Sequence, residues 1–286
     1  MSQRGDKLFA EAKKLAEKKT FGKHKHLDEA ADRYTEAGNS YKVDHCWERA
    51  GMCHMEAANI LVKQKNPFDG AREAIEAGKC YSKDDKCVDQ AVNSYKFAFD
   101  QYKEHDKKAF YAGQCLVDAG NLLMNSDRID EGVPLVLEAT KYFDKGTGND
   151  PQVARCLEQV ADVLVEGRKY DEAIKLYEKV ITLRLKDSLT QGSSPYTFLK
   201  LMLTYLQNGD TIGGRKKVEV FLGQYPPFRN HQFNTFLGKL MTCLENRSIN
   251  DFDDLYTQFD STNILDNWTK NRLLDMRHLA DEGNIS

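Results

Sequence analysis

The sequence lacks any long apolar run. The longest stretches are short, and the one at 133–137 contains Pro134, far from the ~20 consecutive apolar residues a membrane-spanning helix needs. Its first residues, Met1-Ser2-Gln3-Arg4-Gly5-Asp6, form no apolar signal region, so a secretory leader is not expected. The glycosylation sequons at Asn246, Asn267 and Asn284 then read as chance matches. The seven cysteines are an odd number with no C-x-x-C pair. They are expected to be free buried thiols in a reducing compartment, which points to the cytoplasm.

Catalytic signatures are missing as well. There is no H-E-x-x-H, no G-x-S-x-G, no phosphate-binding loop and no dinucleotide-binding glycine pattern. Gly213-Gly214 is not followed by the Lys-Ser/Thr of a phosphate cradle. The histidines do not pair with Cys or Asp at any recurring spacing. His24-x-His26 offers two metal ligands without cysteine or carboxylate support, which rarely makes a site. His54 falls on the inner-face offset of its repeat and reads as a packed core residue. With a net charge of −3 and no RNA-recognition module, broad nucleic-acid binding is not expected. Neither enzymatic activity, a metal nor a cofactor is expected.

What is present is a repeated phrase, clearest at Tyr170-Asp171-Glu172-Ala173 with Tyr177 and Val180 following. An apolar residue, a small one three later, then residues at offsets 7 and 10 fall on one helix face. The phrase starts at Leu27, Trp47, Phe68, Val88, Ala109, Ile129 and Tyr170, with small residues at Ala30, Ala50, Ala71, Ala91, Ala112, Gly132 and Ala173. Alternate starts lie 41 apart, as from 27 to 68 and from 129 to 170. Two helices per repeat predict a stack of helical hairpins. The fold class that follows is all-α: a right-handed, tetratricopeptide-like hairpin solenoid, a twisted sheet of antiparallel helices, with a C-terminal helical bundle.

In chain order, a first helix is expected over 6–19, then a breaking loop, Thr20-Phe21-Gly22-Lys23-His24-Lys25-His26. One aromatic among cations makes that loop a modest membrane-surface candidate through Phe21, Lys23 and Lys25. Four hairpins follow, with helices starting near 27 and 47, 68 and 88, 109 and 129, and 153 and 170. Asn66-Pro67, Ser82-Lys83-Asp84-Asp85 and Asn125-Ser126-Asp127 read as turn and N-cap material. Beyond Lys186 the phrase fades. Helices are expected at 196–207, 211–224, 231–245, 249–259 and 264–280, with Gly213-Gly214 weakening the start of the second. The expected organisation is therefore 1–186 for the N-terminal helix, loop and four hairpins, and 187–286 for the bundle and acidic tail. Charge follows the same polarity. Residues 1–26 hold eight Lys/Arg against three Asp/Glu, whereas 245–286 hold nine Asp/Glu against four Lys/Arg. Such a chain is suited to touching different partners with each end.

Several local features together resemble one family. Asn39-Ser40-Tyr41-Lys42 through Cys46-Trp47-Glu48-Arg49-Ala50-Gly51 is similar to the first hairpin of the soluble NSF attachment proteins (SNAPs), and Lys169 through Glu178 to their fourth. Tyr225-Pro226-x-Phe228 and Phe259-Asp260-Ser261 through Leu265-Asp266-x-Trp268 resemble their C-terminal bundle, nearer the alpha than the gamma form. The hairpins of 41 residues exceed the ~34 of a standard tetratricopeptide repeat, and the resemblance covers nearly the whole chain.

The resemblance implies an adaptor that binds the assembled, syntaxin-type SNARE four-helix bundle through a basic concave face. It would recruit the hexameric ATPase NSF through its C-terminal end, so that the bundle is disassembled in vesicle fusion and protein transport. It implies a cytoplasmic protein, monomeric when free, with a weak contact to anionic membrane surfaces. The SNARE contacts it implies are Lys42, Lys83, Lys107 and Arg155. Lysines expected elsewhere fall at Gly113, Asp144 and Gln159, which thins the basic face. The NSF contacts it implies are Asp210, Glu245, Asp281, Glu282 and Ile285, with Ile285 at the penultimate position of the family's terminal leucine. The alternative is a generic tetratricopeptide-type scaffold unrelated to membrane fusion.

Overall fold

The computed structural model describes residues 3–18, 23–145 and 148–281, with the backbone alone at Lys23 and His24. Among the described residues there are fourteen α-helices and no strand. They fall into two compact units, Met1–Asn149 and Asp150–Ser286.

The first unit contains α1 (Gln3–Ala16), α2 (Lys23–Val43), α3 (Trp47–Lys63), α4 (Pro67–Tyr81), α5 (Val88–Tyr102), α6 (Ala109–Asn125) and α7 (Ile129–Phe143). Each helix packs against the next. The small residues of the repeated phrase are the reason. Ala30, Ala50, Ala71, Ala91 and Ala112 have no exposed surface, so the backbones approach and larger neighbours fill the gaps. The approach is closest at the α6–α7 crossing, where a Cβ on Gly132 would lie 2.5 Å from the Gly120 carbonyl oxygen. Aromatic rings lie over other glycines: a Cβ on Gly51 would meet the Tyr81 ring at 2.7 Å. His54 is a core residue, 2% exposed, with Nδ1 2.7 Å from Glu73 Oε2.

Successive helices run antiparallel, which gives the unit two edges. At one edge α1 and α3 start and α2, α4 and α6 end. There Asp6 of α1 accepts hydrogen bonds from Tyr41 of α2 and Arg49 of α3, both at 2.7 Å. At the other edge α2, α4 and α6 start. There Tyr102, at the end of α5, stacks on Phe68, at the start of α4, with centroids 6.0 Å apart.

The second unit contains α8 (Asp150–Glu166), α9 (Tyr170–Lys186), α10 (Ser194–Gln207), α11 (Thr211–Gln224), α12 (Gln232–Glu245), α13 (Ile249–Thr262) and α14 (Asn267–Met276), followed by a 3-10 turn, Arg277–Ala280. Helix α10 is its axis. Phe198, Leu199, Leu201, Met202, Leu203 and Leu206 are all buried, as expected for a helix apolar on every side. Phe198 stacks on Phe221 of α11 at 4.2 Å, and Phe236 of α12 stacks on Phe259 of α13 at 3.6 Å. Packing thus groups α8 and α9 with the C-terminal helices, whereas the sequence phrase groups them with the repeats.

Several boundaries differ from expectation for local reasons. The first helix spans Gln3–Ala16 rather than 6–19. The expected helix at 264–280 is shortened at its start because Asp266 Oδ1 accepts from the Thr269 amide at 2.7 Å and caps α14 there. Gly213-Gly214 does not delay α11, since Asp210 Oδ1 accepts from the Gly213 amide at 2.8 Å. Asn66 stands at the N-cap of α4, but its side chain turns to Asp69 instead of the backbone.

Candidate functional site

Two of the longer connections of the first unit, after α4 and after α5, place two of the four expected SNARE-contact cations. Lys83 lies in the turn after α4 and Lys107 in the 3-10 turn before α6; both are exposed, with no ion pair among the described residues. Lys42 is different. Its ammonium donates to Glu76 Oε2 at 3.0 Å, and the Glu76 hydrogen bond raises its pKa against the pull of burial. Lys79 donates to the same carboxylate at 2.7 Å. Burial opposes the charge on Glu76, but the two lysines outweigh it and bring its pKa down to about 2. Part of the Lys42 charge is therefore already met within the fold. Lys42 and Lys83 sit at the edge where α2 and α4 end, and Lys107 at the opposite edge. A 15-residue helix such as α5 separates the edges by about 22 Å at 1.5 Å per residue.

Where the basic pattern thins, the structure supplies reasons. Gly113 is buried, and a Cβ there would lie 2.8 Å from the ring of Phe143, itself fully buried. A lysine does not fit at that point. Asp144 is exposed at the C-terminus of α7, and Gln159 is half-buried on α8.

In the second unit, Arg155 is exposed on α8 with no ion pair among the described residues. One turn on, Glu158 is fully engaged: Arg184 of α9 donates to both its oxygens at 3.0 and 2.6 Å. The next turn brings Asp162 into a polar network that sequence reading missed. Lys200 of α10, 5% exposed, donates to Asp162 Oδ2 at 2.7 Å and lies 3.5 Å from Asp266. Tyr177 donates to Asp162 Oδ1 at 2.5 Å, and the Lys200 ammonium lies 4.8 Å from the Trp268 ring centroid. Burial lowers the Lys200 pKa, but the Asp162 and Asp266 carboxylates win and raise it, so the site holds a charged lysine.

Two of the five expected NSF contacts, Asp210 and Glu245, lie at the end of this unit where α10 and α12 end and α11 begins. Asp210 is exposed there as the cap of α11, and Glu245, at the end of α12, pairs with Arg215 of α11. Asp281 follows the turn after α14, whose Arg272 carbonyl accepts from Gln207 at the end of α10. Glu282 and Ile285 lie outside the described residues, as does Phe21. The side chain of Lys23 is not described, and Lys25 is exposed in the first turn of α2.

No group of three or more His, Cys, Asp or Glu side chains suited to a metal occurs among the described residues. No helix among them is long and apolar enough to cross a membrane.

The family model described as "Soluble NSF attachment protein, SNAP" matches residues 3–279. The chain belongs to the soluble NSF attachment protein family. Among relatives, it is 24% identical to the Beta-soluble NSF attachment protein of Bos taurus over 276 residues, covering 94% of this chain and 91% of that one. It is 26% identical to a probable vesicular-fusion protein sec17 homolog of Neurospora crassa over 267 residues, covering 88% and 86% of the two chains. Against the solved apo form of RapI it has a TM-score of 0.49 at 13% identity, covering 87% of this chain and 97% of that one. SNAP membership supports an NSF-adaptor role in vesicle fusion over the generic scaffold. SNAPs are adaptors, and interaction with SNAREs and NSF is general to them.

Proposed function

We propose that the chain engages assembled SNARE four-helix bundles through Lys83, Lys107 and Arg155, with Lys42 as a weaker contributor. We further propose that it presents the Asp210–Glu245–Asp281 end of the second unit to the NSF hexamer, with Glu282 and Ile285 completing that contact. The observation that carries this reading is the family match across residues 3–279. The first three cations add weight because each is exposed without an ion pair among the described residues, so it can meet an acidic surface without first breaking such a pair. Such contacts act mainly on encounter rate and orientation and weaken with salt. The protein acts on the cytoplasmic side, with peripheral membrane contact through Phe21, Lys23 and Lys25.

The experiment is a pull-down with assembled SNARE bundle and NSF, with and without ATP. Lys107→Glu with Arg155→Glu is expected to weaken bundle binding strongly at low salt, with a smaller loss at high salt. On the NSF side, Asp210→Asn keeps a good helix cap while removing the charge, and Glu245→Gln leaves the chain length unchanged. That pair is expected to reduce NSF recruitment while bundle binding persists. Ile285→Ala is expected to leave bundle binding intact and to lower stimulated ATP hydrolysis. Unchanged bundle binding by the double cation reversal at low salt, with normal helicity, contradicts the assignment of those residues.

A further inference from the structure

The two edges of the first unit differ in chemistry. Where α2, α4 and α6 start, the edge carries Lys63 and Lys65 around the end of α3, Lys103, Lys107 and Lys108 after α5, and Lys141 and Lys145 around the end of α7. Fewer carboxylates oppose them: Glu104, Asp106 and Asp144 in those segments, and Asp100 in the last turn of α5, which pairs with Lys103 at 2.8 Å. At the other edge the balance reverses: Asp84, Asp85 and Asp89 after α4, with Asp127, Asp130 and Glu131 after α6, outnumber Lys83, Lys86 and Arg128.

The basic edge also carries aromatic rings in the open. Phe110 is 40% and Tyr111 51% exposed at the start of α6. The Lys108 ammonium lies 5.3 Å from the Phe68 ring centroid and 5.2 Å from that of Tyr111, with no carboxylate partner among the described residues. His105 packs edge-on to Phe68 at 4.9 Å, and Lys145 lies 5.2 Å from the Tyr142 ring. The apolar rings of Phe68 and Phe110, beside Tyr111 with its polar hydroxyl and interleaved with lysines, suit the headgroup layer of a bilayer. The rings settle at the acyl boundary while the ammonium groups meet lipid phosphates. A purely acidic protein surface would use the lysines but gives the exposed Phe110 no role.

We propose that this edge, centred on Phe68, Lys108, Phe110 and Tyr111, is a lipid-contact surface for anionic membranes. It lies at the edge where Lys25 emerges in the first turn of α2. The proposal rests on no part of the SNARE or NSF reading.

The test is flotation of the full chain with vesicles of phosphatidylcholine alone, or with about a third phosphatidylserine, at physiological salt. Each lysine near such a surface contributes about 1 kcal/mol, or roughly five-fold. Lys108→Glu with Tyr111→Ser is therefore expected to lower binding to the anionic vesicles at least five-fold, leaving SNARE-bundle binding within two-fold. Wild-type vesicle binding by this variant overturns the proposal. So does loss of bundle binding with vesicle binding kept, which assigns the edge to the protein partner. Should the double variant lose helicity, Tyr111→Trp decides. Its emission is expected to shift to the blue on adding anionic vesicles, and not on adding free inorganic phosphate or neutral vesicles. No shift with anionic vesicles, or an equal shift with neutral ones, overturns the proposal.

Discussion

The two units solve the packing of charge in opposite ways. The first keeps most of its ion pairs at the surface, with His54–Glu73 in the core and Lys42–Glu76 half-buried as exceptions, and brings helices together through alanine and glycine. Its Arg49–Asp6 and Arg128–Asp89 pairs are both largely solvated, and such pairs contribute little to stability. The second buries a lysine inside its axial helix and surrounds it with Asp162, Asp266, Tyr177 and Trp268. The first unit is thus held mainly by shape, with most of its charges left on the surface. The second spends part of its charge on internal register, leaving its exposed ends for partners.

The comparison breaks most visibly at Lys200. Lys200→Ala strands Asp162 without its cation, and removing one partner of a buried pair costs about 3–5 kcal/mol. Amide exchange is expected to speed up through α8 to α14 while the slowest amides of α3 to α6 keep their protection. The double variant Lys200→Met with Asp162→Leu is expected to recover most of the loss. A uniform loss of protection across both units contradicts their separate packing.

A smaller break applies to the first unit. Gly132→Ala puts a methyl group against the Gly120 carbonyl oxygen, and overpacking of this kind costs about 1–3 kcal/mol. Chemical denaturation is expected to show that loss. Gly238→Ala in α12, with nothing within 4 Å of its Cβ, is expected to be neutral or slightly stabilising.

How much of this was legible in the sequence follows from locality. The buried face was legible because Ala30, Ala50, Ala71, Ala91 and Ala112 recur at a fixed offset, and all five are fully buried. The bundle helices were legible from their turns, as at Asn208-Gly209-Asp210 and Pro226-Pro227. The Lys200 network was not. Its members are 38 residues apart for Asp162 and Lys200, and each looks like an ordinary surface charge until α8 and α14 close over α10.

The short helix connections were also hidden. His45, Lys65, Asp127, Arg168 and Arg247 take positive φ between 51° and 65°. That conformation usually signals itself as glycine, yet among the described residues glycine takes a positive φ at Gly148 and Gly209 alone. Of the candidate site, only the positions of the cations along the chain were legible. Two things were not: that Lys42 is tied to Glu76, and that Gly113 lies under Phe143.

Two lesser predictions sharpen the contrast. The depressed Glu76 carboxyl contributes stability that is present above its ordinary pKa of 4.5 and is lost as pH falls from there towards its folded value of about 2. The acid limb of the first unit's unfolding curve is expected to flatten between about pH 5 and 2 in Glu76→Gln. An identical acid limb would show that the lysines do not hold this carboxylate ionised. Lys65→Gly relieves a left-handed non-glycine residue, worth about 1 kcal/mol before the added freedom of the unfolded chain is subtracted. A gain of a few tenths to about 1 kcal/mol is expected in denaturant melts.

The central claim is that this chain links SNARE bundles to NSF. The most direct measurement is ATP-dependent disassembly of a purified, fluorescently labelled SNARE bundle by NSF, with this chain as the sole adaptor and titrated across a concentration series. The account predicts disassembly that rises with adaptor concentration and saturates, and that falls strongly with Lys107→Glu and Arg155→Glu at low salt. No disassembly above the NSF-only rate at any concentration, by a protein with native helicity, would contradict it.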